Sequence, residues 1–170
     1  EFISFDGKGS PEITVFEIDY ESKLCLILSN TEMKGKLSIP GNKICYDVLK
    51  KKQVTDNEVS IPSKLPVLLA LLPYAIKEIA CEMRKMEDGS ILLEAKPIVS
   101  HGKAGSHTFN FTVFPPNCDK PSRLYSTIVD APFGVAEHKI YPALNEQGEW
   151  KAIVEDVVSG QSKAMYWTLR

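Results

Sequence analysis

Three histidines, His101, His107 and His138, are the side chains of this sequence best suited to proton transfer or metal binding near neutral pH. The stretch "SHGKAGSH" sets two of them around Gly102 and Gly105. A transition-metal site needs three or four ligands at recurring spacings, and no HExxH, CxxC or HxH pattern occurs. Folding would have to bring His101 and His107 to Cys118 or Asp119, and nothing in the spacing demands it. The stretch reads as a solvated glycine turn between two strands. "GKAGS" offers the glycine amides and the lysine that a phosphate needs, but it lacks the leading glycine of a P-loop and opens no convincing helix. It is read as a turn with Lys103 exposed.

No GxSxG elbow is present, and no cysteine sits in a catalytic context. The carboxylates of the last third, Asp130, Glu137, Glu146, Glu149, Glu155 and Asp156, fall mostly at strand ends and turns. Glu155-Asp156, inside "KAIVEDVV", differs, because one of the two is placed to point inward, where burial raises a carboxylate pKa. A solvated strand face or a bulge explains it equally. No catalytic residue, metal ligand or cofactor motif is assigned, and a hydrolase or metal-site enzyme is the third-ranked reading.

The cations give a second-ranked reading. Lys50, Lys51 and Lys52 follow Tyr46, Lys43 precedes it, and Lys34 and Lys36 belong to a neighbouring strand. Clustered cations beside exposed aromatics are what a nucleic-acid backbone and its bases require. A nucleic-acid-binding β domain would use Lys34, Lys36, Lys43, Lys50, Lys51 and Lys52. Asp47, Asp56 and Glu58 dilute that charge, and the formal net charge of −2 predicts no general attraction to polyanions. A second patch at Tyr166, Trp167 and Arg170 competes with the ordinary placement of tryptophan in a core.

The elements that must carry these residues are short apolar alternations separated by turn residues, the pattern of antiparallel β structure. "EITVFEIDY" and "LCLILSN" form a hairpin across Glu21-Ser22-Lys23, with Thr14, Phe16, Ile18 and Tyr20 on one face of the first strand. The second strand is apolar on both faces, which predicts a central position. "SHTFNFTVF" is the cleanest strand, with His107, Phe109, Phe111 and Val113 in alternation. "HKIYPAL" and "EWKAIVEDVV" flank Asn145–Gly148, which reads as a hairpin turn, and "KAMYWTLR" completes a meander.

One segment resists this reading. "SKLPVLLALLPYAIKEIACEM" has no charged side chain from Leu65 to Ile76. A membrane-spanning helix needs about 20 apolar residues, and this run is shorter and broken by Pro66 and Pro73, so no span is expected. Ser63 can cap a buried turn or two of helix over roughly 64–72, which Pro73 would end. Beyond it, residues 74–86 fit a helix or a strand, and the strand is preferred. In a hairpin closed at Glu87–Gly89, Met83 faces Leu93 and Glu82 faces Glu94, a like-charge pair that costs stability.

The predicted fold is therefore mainly β, an antiparallel β-sandwich or jelly-roll-like domain with one or two short helices near 64–86, and α+β is the alternative. Length and an apolar share of 44% suit one domain over 1–170. Glu1-Phe2, which a common cloning site would encode, reads as a remnant at the start of a piece excised from a longer chain. Cys25, Cys45, Cys81 and Cys118 are widely scattered and are read as reduced thiols of an intracellular, reducing compartment. Asn110-Phe111-Thr112 matches a glycosylation pattern in mid-strand and is treated as chance. The preferred function is non-enzymatic: a β domain acting through contacts with a protein partner or through self-assembly into a homo-oligomer. Viral coat and accessory proteins supply an architectural analogy only.

Overall fold

The computed structural model describes residues 3–170; Glu1 and Phe2, read above as a remnant, lie outside the described residues. The described chain is strand and turn throughout, without a helix, and every strand pairing is antiparallel. The fold is mainly β and sandwich-like. It divides into two compact units.

The first unit runs to Ala75 and includes the tripeptide Val158–Gly160. Its eight strands are β1 (Ser4–Gly7), β2 (Glu12–Glu17), β3 (Lys23–Leu28), β4 (Met33–Ser38), β5 (Ile44–Asp47), β6 (Lys52–Gln53), β7 (Glu58–Ile61) and β8 (Val67–Leu72). They form a three-stranded sheet, β1-β4-β7, and a five-stranded sheet, β2-β3-β8-β5-β6. Leu37, Val59 and Ile61 from the first sheet meet Cys25, Ile27, Cys45, Val67, Leu69 and Leu71 from the second in one apolar core. As its two-faced apolarity predicts, β3 is internal, between β2 and β8.

Residues 64–72, read as a helical turn, are instead the strand β8, held between β3 and β5. A segment buried on both faces is apolar at every position whether it is helix or strand, so the run carries no period to separate them. Pro66 and Pro73 bound the strand rather than a helix. The hairpin β2–β3 forms, but its loop is Ile18–Ser22, tied by the Asp19 carboxylate accepting from the Glu21 and Ser22 amides at 3.0 and 2.7 Å. Of β2 it is Ile13 that packs on the core; Val15 and Phe16 are both exposed, and Tyr20 is out in the loop.

The second unit holds β9 (Ile76–Lys85), β10 (Ile91–Val99), β11 (His107–Phe114), β12 (Thr127–Ala131), β13 (Ala136–Ile140), β14 (Gly148–Asp156) and β15 (Ser162–Leu169). One sheet has the order β13-β10-β9 and the other β12-β11-β14-β15. Phe111 of one sheet meets the His138 ring of the other at 5.5 Å, and Trp150 stacks on Trp167 at 5.9 Å. Residues 76–85 are strand, and the predicted hairpin register holds: Met83 faces Leu93 and Glu82 faces Glu94. Pro97 is tolerated on the central strand because β13 pairs only as far as Ala95, which leaves no partner there to miss an N–H.

The hairpin expected across Asn145–Gly148 does not form. β13 pairs with β10, whereas β14 lies in the other sheet between β11 and β15. The intervening segment is fixed by Glu146, whose carbonyl accepts from Trp150 Nε1 at 3.1 Å and whose carboxylate takes the Tyr125 hydroxyl and the Ala143 amide.

The hairpin register has an energetic consequence. Glu94 faces Glu82 on one side and Glu137 on the other, so three carboxylates cross the outer face of the three-stranded sheet in one row. Arg84 answers only one of them, at 2.6 Å from Glu94. Glu82→Lys turns a like-charge pair into an opposite one and is expected to raise stability by about 0.5–1 kcal/mol, read as a higher urea midpoint at unchanged slope.

Candidate functional site

The inward parity of β11 places His107 in line with Phe109, Phe111 and Val113, and that of β14 places Asp156 in line with Trp150, Ala152 and Val154. The two strands are neighbours, and His107 Nδ1 lies 2.8 Å from Asp156 Oδ1 with neither side chain exposed. Glu155 takes the outward face, so Asp156 is the inward-pointing member of that pair. An aspartate–histidine contact is the arrangement a general base uses. Here it is enclosed, and neither side chain offers solvent-facing surface to a substrate.

The other histidines go elsewhere. His101 is exposed and its Nδ1 lies 2.9 Å from Ser100 Oγ. His138 is half buried, with Nε2 2.6 Å from the Tyr125 carbonyl. Cys118 is exposed and its thiol donates to the Lys120 carbonyl at 3.2 Å. Among the described residues no group of three or more His, Cys, Asp or Glu side chains is placed to hold a metal ion.

The six lysines fall into three places in the first unit. Lys34 and Lys36 point outward from β4 and line a shallow groove with Asp6, Glu58 and Ser60. Lys36 sits in register between Asp6 and Glu58, and its ammonium is 3.8 Å from the Glu58 carboxylate. Lys50 and Lys52 line a second groove that also contains Glu58, and Lys50 Nζ is 3.1 Å from Asp47. Lys51 turns the chain at a φ of 54°, against Gly160, where a Cβ would come within 2.2 Å of the lysine's own Cβ. Lys43 donates to the Glu21 carbonyl and lines a separate cavity of about 320 Å³ with Ile13, Ile39, Lys23 and Glu17. Strand register thus sets an acid beside Lys36, the turn after β5 brings Lys50 back to Asp47, and Lys43 stands apart from both pairs.

The feature that sequence reasoning missed is apolar. In the second unit β12 and β13 are the edge strands of the two sheets, joined by the turn Pro132-Phe133-Gly134. Along this stretch Leu124, Ile128, Phe133, Val135, Tyr141 and Leu144 are all exposed, Phe133 at 88% and Leu144 at 99%. Single exposed apolar residues are ordinary. Here six occur within 21 residues, Ile128 on β12 and the others in the segments that flank β12 and β13. The detectable signal was the parity of β13: Val135, Glu137, Lys139 and Tyr141 alternate with the inward Ala136, His138 and Ile140.

No protein-family model matches the chain, and no curated protein sequence matches it. Among solved structures, a beta-glucuronidase of Ruminococcus gnavus is similar over 68% of this chain and 20% of its own, at 8% identity and a TM-score of 0.31. The chain spans about a fifth of that enzyme's length, and a likeness at this level carries no argument about fold or activity.

Proposed function

We propose that this chain is a non-enzymatic association module that works by joining protein surfaces, a second copy of itself first among them. The observation behind this reading is the set of exposed apolar residues between Leu124 and Leu144, in and around β12 and β13, each the outermost strand of its sheet. Burying large aromatic and aliphatic side chains supplies most of the energy of protein association, and a few such residues dominate it. The four free cysteines support a reducing, intracellular setting.

Light scattering and sedimentation velocity over a wide concentration range test the reading. The mass is expected to rise with concentration, and Phe133→Asp and Leu144→Asp are each expected to weaken association by roughly tenfold or more. Both side chains are exposed, so the melting temperature should stay where it is. A strictly monomeric mass at every concentration removes the reading.

A further inference from the structure

We infer that the outer edge of β13 pairs antiparallel with β13 of a second copy, about a two-fold axis through His138. The inference rests on the association reading above and names the surface, the occupant and the register. β13 is hydrogen-bonded to β10 on one side only, so the other side presents an unpaired strand edge. Its outward side chains are, in order, Val135, Glu137, Lys139 and Tyr141, all exposed. Read backwards, the order is apolar, base, acid, apolar. An antiparallel pairing centred on His138 therefore sets Glu137 against Lys139 of the second copy, and Val135 against Tyr141, each twice by symmetry.

Other registers lose this match. A shift by one residue brings inward side chains onto the outer face. A shift by two centres the axis on Glu137 or Lys139 and sets like charges against each other. Pro142, which has no N–H to donate, and the turn at Gly134 limit the pairing to the residues between them.

The complementarity continues across the sheet. The row Glu82–Glu94–Glu137 ends on a carboxylate at the open edge, and the next row, Arg84–Leu92–Lys139, ends on an ammonium. The proposed axis joins each acidic row to the basic row of the second copy, so that two three-stranded sheets become one of six strands. Lys139 is already held on this face, 2.7 Å from Asp88 and with its ammonium 5.2 Å from the centre of the Tyr141 ring. A single strand edge buries less area than a standard interface, so the dimer is weak and concentration-dependent.

Sedimentation equilibrium of the full chain at low ionic strength tests this. Glu137→Lys and Lys139→Glu are each expected to weaken the dimer about tenfold, and the double swap E137K/K139E to restore most of the affinity, because the swapped strand is again self-complementary. Amides of β13 are expected to gain exchange protection as concentration rises. Glu137→Lys also removes a like charge facing Glu94, so a loss of dimer at an unchanged or higher melting temperature excludes misfolding. If the wild-type chain self-associates but neither charge reversal alters its affinity, the strand register is overturned and the association reading stands. If the wild-type chain stays monomeric up to ~1 mM, both are overturned.

Discussion

Asp156→Ala is expected to destabilise the second unit by about 3–5 kcal/mol, among the largest effects of any single substitution in the chain. The carboxylate and the His107 imidazole are both fully enclosed and 2.8 Å apart. Removing the carboxylate takes a buried contact from an enclosed imidazole, and the cost of that loss exceeds the net contribution of the intact contact. The double substitution His107→Phe/Asp156→Leu, which replaces both with apolar groups, should therefore cost far less than the two single changes added together. Urea unfolding followed by tryptophan fluorescence reads this directly, since Trp150 lies on β14 beside Trp167 of β15. A single-variant loss below about 1 kcal/mol would mean that the pair contributes little to the core.

The second large effect is alkaline. Burial pushes the Cys25 thiol up to about 11 and the Cys45 thiol up to about 12, the latter helped by Cys25 and Asp47 nearby. In the unfolded chain both ionise near 9, so the folded state holds the protons that the unfolded state releases. The stabilisation is complete below pH 9 and falls as pH rises through the folded values. Between pH 9 and pH 11 the first unit should lose a few kcal/mol, enough to move its urea midpoint sharply downward. The Cys25→Ala/Cys45→Ala protein starts from a lower baseline, because two buried groups are trimmed, but its midpoint should vary less over the same range. An equal slope in the two proteins would assign the alkaline transition to other groups.

Much of the fold is legible in local pattern. The register of β9 on β10 follows from one turn, Glu87–Gly89, and the match of Met83 with Leu93. The alternation of β11 and the internal place of β3 follow from which faces are apolar. β8 was not legible as a strand, because an uninterrupted apolar run has no period to reveal. The path after β13 was not legible either. A polar turn at Asn145–Gly148 has the same chemistry whether the chain folds back on its own sheet or crosses to the other, and packing around Glu146 decides between them. The site divides in the same way. His107 and Asp156 each sit at a readable inward position, but their meeting depends on β11 lying next to β14, a long-range pairing. The lysines and their dilution by Asp47 and Glu58 are plain in sequence, whereas Asp6 reaches Lys36 only through the long-range pairing of β1 with β4.

The strand β8 has a consequence for the life of the chain before it is folded. "VLLALL" is six residues with no charge and no internal proline, flanked on both sides in the native sheet by β3 and β5. Those flanks come from earlier in the sequence, so at synthesis their shared partner emerges last. In a nascent or transiently open chain the same hexamer would stack readily with its copies as a cross-β fibre. Lys64 and Pro66 stand before it and Pro73 and Lys77 after it, residues that cannot extend such a stack without breaking a hydrogen bond or burying a charge. The two prolines that bound the strand in the finished fold thus also guard it while the fold is unfinished.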